Sequence, residues 1–153
     1  MGAGWSPLAQ AETLIFGVGH TRFSDDNADD FPIFSLELQR DPFKSVGGWD
    51  FGLGGAVSID TNGDGHLGLG LYAIYHTKSQ WFFETSVMPG VYFNGSSDNW
   101  LGGHFQIRSL LALGYDLNAP NSISLAVTHI SNASTRDFNP GVNALWLRWH
   151  LRF

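Results

Sequence analysis

The feature that most constrains this chain is a two-residue period sustained over unusually long stretches. Near the C-terminus, Asn143, Leu145, Leu147, Trp149, Leu151 and Phe153 occupy alternate positions. Just before them, Ile123, Leu125, Val127, His129 and Ser131 alternate with Ser124, Ala126, Thr128 and Ile130. Successive side chains of a β-strand point to opposite faces, so each row is one face of a strand. No stretch of any length carries the 3.6-residue period of an amphipathic helix.

The same alternation divides the chain from Glu12 onward into eight segments. The first, 12–23, sets Leu14, Phe16 and Val18 against Gly17, Gly19 and Thr21. The second, 31–40, sets Phe34, Leu36 and Leu38 against Ser35, Glu37 and Gln39, with a turn expected from Asp41-Pro42. The third, 48–59, carries Trp49, Phe51, Leu53, Val57 and Ile59; the fourth, 66–77, carries Leu67, Leu69, Leu71, Ala73 and Tyr75. A turn at 77–80 leads to a fifth, with Phe83, Val87, Val91 and Phe93 opposite Glu84 and Ser86. The sixth, 102–116, sets Phe105, Ile107, Leu111, Leu113 and Tyr115 against His104, Gln106, Arg108 and Asp116. Asn118 to Asn121 is a turn, and the two C-terminal rows complete the set.

Most of these strands are longer than the five or six residues usual in soluble proteins. They match the roughly 9–11 residues that a tilted strand needs to cross a bilayer. One face is nearly all apolar, and the other is small, polar or charged: Glu37, Asp50, Glu84, Arg108, Arg148 and Arg152. A soluble barrel would bury the apolar face. Here the charges are few enough to pair inside a narrow lumen, while the continuous apolar rows face lipid. The expected fold is therefore all-β, an eight-stranded antiparallel transmembrane β-barrel of the outer-membrane type, with a soluble β-barrel as the weaker alternative. Trp49, Tyr75, Trp81, Tyr115 and Trp149, near strand ends, suit interfacial girdles. Ending on Phe153 resembles the C-terminal signature of proteins assembled into the outer membrane.

Bulk composition agrees and excludes other classes. Charged residues make up 14%, with 19 glycines and 12 phenylalanines. The formal net charge of −6 argues against a nucleic-acid partner. With no cysteine, disulfides and thiol catalysis are excluded. Residues 1–11 end in Ala9-Gln10-Ala11, which reads either as the remnant of an export signal or as an ordinary flexible N-terminus. Residues 12–153 form a single barrel domain.

An even strand number puts both termini on one side. The longer connections, near 24–30, 60–65, 94–101 and 132–142, then lie on the outside, and the short turns face the periplasm. His129 and Ser131 end one strand and Asn143 begins the next, so they flank the last external loop near the outer leaflet, pointing toward lipid. A serine hydroxyl needs a base, and the base needs a third group to fix its tautomer. At positions i and i+2, His129 and Ser131 have Cα atoms about 6.5–7 Å apart, from a rise of about 3.3 Å per residue. Antiparallel pairing brings Asn143 alongside.

The segment His129-Ile130-Ser131-Asn132-Ala133, followed by Asn139-Pro140-Gly141-Val142-Asn143 and a closing strand, resembles the lipid A 3-O-deacylase (PagL) family. The likeness extends more loosely through Trp81-Phe82-Phe83-Glu84 and Leu101-Gly102-Gly103-His104-Phe105-Gln106. The resemblance implies an outer-membrane serine esterase that hydrolyses the 3-position ester of lipid A and releases a 3-hydroxy fatty acid, with no metal or other cofactor. It implies Ser131 as nucleophile, His129 as general base, and Asn139 in the oxyanion hole, assisted by backbone N–H groups at Asn132 and Ala133. The partners it implies are lipopolysaccharide and outer-membrane lipid; a weak homodimer is a separate expectation, and the sequence leaves the oligomeric state open. Where the best-known family pattern has a glutamate, this chain has Asn143. Its amide oxygen can orient the histidine but brings no charge; Asp137 is the nearest carboxylate in sequence, and Glu37 and Glu84 belong to the lumen face. That change keeps a non-enzymatic barrel with a degenerate site as the alternative.

Two further features have competing readings. Asp60-Thr61-Asn62-Gly63-Asp64-Gly65 matches the first half of a calcium loop, but Leu71 stands where a glutamate is needed, and a tight Gly/Asn turn is the simpler reading. Arg136, in the loop beside the proposed site, is expected either to meet a lipid A phosphate or to be an ordinary solvated arginine.

Overall fold

The structure, a computed structural model, describes residues 12–153; the Ala9-Gln10-Ala11 segment lies outside them. The strands are β1 (Thr13–Phe23), β2 (Pro32–Gln39), β3 (Lys44–Val46), β4 (Trp49–Asp60), β5 (Gly65–His76), β6 (Trp81–Phe93), β7 (Phe105–Asn118), β8 (Asn121–Ser131) and β9 (Val142–Arg152). Each pairs antiparallel with its neighbour in sequence, β2 pairing on to β4. The first strand pairs with the last along its whole length, from Thr13 opposite Arg152 to Phe23 opposite Val142. That closes a barrel and leaves no open edge.

Eight strands form the wall, as the alternation predicts. The third in sequence order, β3, is a short addition that departs from expectation. The chain does not reverse at Asp41-Pro42. Arg40 and Phe43 still donate N–H bonds to Leu53 and Phe51 of β4, and Lys44–Val46 pairs with Trp49–Phe51. Pro42 lacks an N–H and so interrupts the ladder without ending it. The reversal comes at Gly47-Gly48, with φ of +60° and +84°. Two left-handed central residues are what a tight hairpin turn of this twist requires.

Each of the eight wall strands keeps the parity read from the sequence. Leu69, Leu111, Leu125 and Leu145 are among the outward residues and are at least 61% exposed. The inward faces of β2, β6, β7 and β9 meet in a buried ion network. Arg148 contacts Glu84 at 3.0 Å and Glu37 at 3.3 Å, and Arg108 contacts Glu37 at 3.0 Å. Gln39 donates to both carboxylates. Two arginines neutralise two glutamates, so the lumen holds charge without net charge. Two others named with them lie at the rim: Asp50 pairs with His76 at 2.9 Å, and Arg152 is exposed. Apolar groups pack the rest of the lumen toward the loop rim, around Leu110, Ala126 and Trp146 and, nearer the loops, around Tyr92, Leu101 and Ile130. The lumen is filled rather than open, as an eight-stranded barrel allows.

The two rims differ. Trp49, Tyr75, Trp81, Tyr115 and Trp149 all stand at the rim carrying the short turns and the chain ends. Trp49 packs on Tyr75 at 5.2 Å between ring centroids and Trp81 on Tyr115 at 5.0 Å. The opposite rim carries the longer connections at 24–31, 94–104 and 132–141, and one short one at 61–64.

Candidate active site

Away from the strand ends, the outward rows of β2, β4 and β5 are apolar or glycine. The polar outward residues gather on one flank. They are His20 and Arg22 on β1, Asn143 on β9, His129 and Ser131 on β8, Ser109 on β7 and Thr85 on β6. Register makes them neighbours: Arg22 lies opposite Asn143, Asn143 opposite His129, and His129 opposite Ser109. One step toward the middle of the barrel the row reads His20, Leu145, Val127, Leu111 and Thr85. A shallow groove runs over both rows, polar toward the loop rim and floored by leucine and valine below. On a lipid-facing wall, unpaired polar groups are costly, so their concentration on one flank is a functional signal.

Within this patch the histidine is held. His129 Nδ1 lies 2.7 Å from Asn143 Oδ1. An amide oxygen only accepts, so Nδ1 carries the hydrogen and Nε2 is left with its lone pair. Gly141, just before β9, supports the same ring. Its φ is +73°, and a Cβ there would approach His129 Cε1 to 3.0 Å. Glycine at this position both permits the backbone turn and leaves room for the imidazole. Ser131, the last residue of β8, shares the outward face and is half-buried.

The loop after Ser131 is built around Asn132, which turns inward and is fully buried. Its side-chain amide donates to Phe138 O at 2.8 Å and Leu101 O at 3.2 Å, tying the loop to itself and to the neighbouring connection. Its backbone N–H donates to Asn139 Oδ1 at 2.9 Å. Thr135 N–H donates to Asn132 O, across Ala133 and Ser134 with φ of +52° and +61°. Two consecutive non-glycine residues in the left-handed region are a strained turn, held by the contacts on either side. The strain sits two and three residues after Ser131. At the other end of the loop, Gly141 O accepts from Ser24 N–H, which ties it to the β1–β2 connection.

The structure thus brings His129, Ser131 and Asn143 onto one surface and gathers Asn132, Ala133 and Asn139 in the loop behind it. Asp137 is exposed, and the ring nitrogen next to Asn143 has no carboxylate partner among the described residues. Glu37 and Glu84 are in the lumen, bound to arginine. Arg136 lies along Gly103 of the β6–β7 connection. The 60–65 segment is a tight turn at Gly63, with φ of +91°. Asp60 Oδ1 accepts from the N–H groups of Asn62 and Asp64, and the Asp64 carboxylate accepts from Asn62, Gly95 and Asn99. These donors occupy both Asp64 oxygens and one of Asp60's and tie connections together, while Asp60 Oδ2 is buried without a hydrogen-bond partner. No group of three or more metal-binding side chains occurs among the described residues. Sequence reasoning missed Gly141, His20 and Arg22. The Pro140-Gly141 pair was a local signal for the first. The other two are 121 or more positions from Asn143 and join it only through barrel closure.

Comparison with known proteins bears on the family and the fold. The family model described as Lipid A 3-O-deacylase (PagL) matches residues 20–152. The lipid A deacylase PagL of Bordetella bronchiseptica is 30% identical over 78 residues, which covers 50% of this chain and 44% of that protein. The chain therefore aligns with less than half the length of this relative. Among solved structures, that of the outer membrane enzyme PagL superposes with a TM-score of 0.70 at 16% identity, covering 91% of this chain and 98% of the other. Neisserial surface protein A superposes at 0.60 with 9% identity, covering 94% and 97%. A de novo designed transmembrane β-barrel does so at 0.59 with 12% identity, covering 94% and 95%. At these identities the superpositions bear on fold alone, whereas the family match spans most of the sequence. The chain belongs to the lipid A 3-O-deacylase (PagL) family.

Proposed function

We propose that this barrel is an integral outer-membrane serine esterase that hydrolyses the 3-position acyl ester of lipid A, working from the outer leaflet. The observation that carries the reading is the His129–Asn143 hydrogen bond of 2.7 Å, on the lipid-facing wall and two residues from Ser131. The proposed orientation puts the short-turn rim in the periplasm, so this pair lies at the height of the outer headgroups.

In this reading Asn143 holds His129 with Nδ1 protonated, and Nε2 takes the proton of Ser131 as its oxygen attacks the ester carbonyl. The C=O bond opens to an oxyanion. Two donors are available to bind it in this reading. Asn139 has its carbonyl oxygen occupied by Asn132 N–H, which leaves its NH2 group to donate. The Ala133 N–H, in the strained turn after Ser131, is the second. Asn132 itself is a strut, since its N–H is spent on Asn139. Collapse of the intermediate breaks the bond to the sugar oxygen, which leaves with the proton from His129. Water, deprotonated by the same nitrogen, then releases the 3-hydroxy fatty acid and restores Ser131. No cofactor enters these steps. The leucine and valine floor of the groove holds the acyl chain, so the substrate reaches the site by lateral diffusion and no pore is needed.

The test is incubation of the refolded protein with lipid A, followed by mass spectrometry. Loss of one 3-hydroxyacyl chain, abolished by Ser131→Ala and by His129→Ala, supports the proposal. Full activity in Ser131→Ala ends it.

A further inference from the structure

Arg22 is a cation on the lipid-facing row of a transmembrane strand. Its side chain is 84% exposed. Its register partner is Asn143, so two strand spacings, about 10 Å at about 4.8 Å each, separate its Cα from that of His129. An arginine side chain spans much of that distance. Among the described residues its guanidinium has a single partner, Asp30 Oδ2 at 3.7 Å, longer than a hydrogen bond. Asp30 is itself fixed, because its other oxygen accepts Phe23 N–H at 2.6 Å. The carboxylate therefore steers the guanidinium and leaves its fork of N–H donors to be filled. The same groove is lined by Arg22, Asp30, His129 and Asn143.

We infer that Arg22 is the headgroup-recognition residue of this site, binding a phosphate monoester carried by the sugar whose ester is cleaved. This rests on the esterase reading for its substrate, and it displaces Arg136 from the phosphate contact. The chemistry favours phosphate for three reasons. A planar guanidinium with free parallel donors matches phosphate oxygens in a bidentate fashion. A charge on this face is tolerated only near the interface, which is where the phosphates of a glycolipid lie. The alternative neighbours on the wall are acyl chains, which offer Arg22 nothing. Arg22 thus sets which lipid is held and how its sugar is turned toward Ser131. It takes no part in bond making.

The experiment compares a bisphosphorylated lipid A with its dephosphorylated counterpart of the same acyl pattern, in mixed detergent micelles. Folding of each variant is checked by heat-modifiable migration on a gel. Arg22→Gln is expected to lower the ratio of kcat/KM, phosphorylated over dephosphorylated, by about tenfold, the worth of one charge-assisted pair. The loss should fall on KM, with partial recovery in Arg22→Lys. Equilibrium binding in a Ser131→Ala background gives a readout without turnover, where Arg22→Gln should remove the preference for the phosphorylated lipid. An unchanged ratio and an unchanged binding preference in Arg22→Gln overturn the inference. So does a preference lost in Arg136→Gln and kept in Arg22→Gln. If the unaltered protein hydrolyses neither lipid yet binds the phosphorylated one in an Arg22-dependent way, the subsite stands and the esterase reading fails.

Discussion

At the scale of single residues, the account turns on an uncharged orienter. Asn143 accepts from His129 Nδ1 and fixes the tautomer, but it offers no negative charge to the imidazolium that the proposed mechanism forms when Ser131 is deprotonated. Two consequences follow in opposite directions. Asn143→Ala should lower kcat by about tenfold to a hundredfold, since orientation is lost. Asn143→Asp should raise kcat above that of the natural chain by about tenfold, because the isosteric carboxylate keeps the hydrogen-bond position and stabilises the imidazolium. Steady-state assays on lipid A check both. The outward placement of His129, Ser131 and Asn143 was legible in the sequence because a period of two carries parity along a strand without any knowledge of the fold. The Asn132–Asn139 bond was not. It depends on how a ten-residue loop folds back on itself, and no periodicity governs a loop.

Elements fail or hold by their turns. The β3–β4 reversal at Gly47-Gly48 was not legible, because Asp41-Pro42 is the stronger local turn signal, and only the pairing of Lys44–Val46 with β4 shows that the strand continues past it. The turn separates two effects cleanly. A Cβ at Gly47 meets nothing within 4 Å, so Gly47→Ala should cost only the left-handed backbone, about 1 kcal/mol. At Gly48 a Cβ would also approach the Tyr75 ring to 3.1 Å and His76 O to 3.3 Å, so Gly48→Ala should cost more. Urea unfolding in lipid vesicles, compared between the two variants, gives the difference. The eight wall strands and their faces were readable, since lipid on one side and a packed lumen on the other leave little freedom for a register slip, whereas β3 was not.

For the whole molecule, closure of β1 on β9 does two things that no local stretch reveals. It brings Arg22 beside Asn143, and it brings arginines and glutamates from four strands into one lumen network. The sequence showed that charges would pair inside but not which. Arg148 is 2% exposed and bridges both glutamates, so Arg148→Met leaves Glu37 with Arg108 and Glu84 with no arginine. A buried charge without its partner is costly, and the barrel should lose about 3–5 kcal/mol of unfolding free energy in the same vesicle assay. The lumen is therefore the structural half of the protein and the outer wall the half that carries the proposed chemistry, and the two should respond separately to substitution.

The central claim is that the outer wall carries a serine esterase. Its most direct test is mass spectrometry of lipid A after incubation with the folded barrel and with Ser131→Ala. The account predicts loss of one 3-hydroxyacyl chain with the first and intact lipid with the second. The same mass loss from both, or from neither, would contradict it.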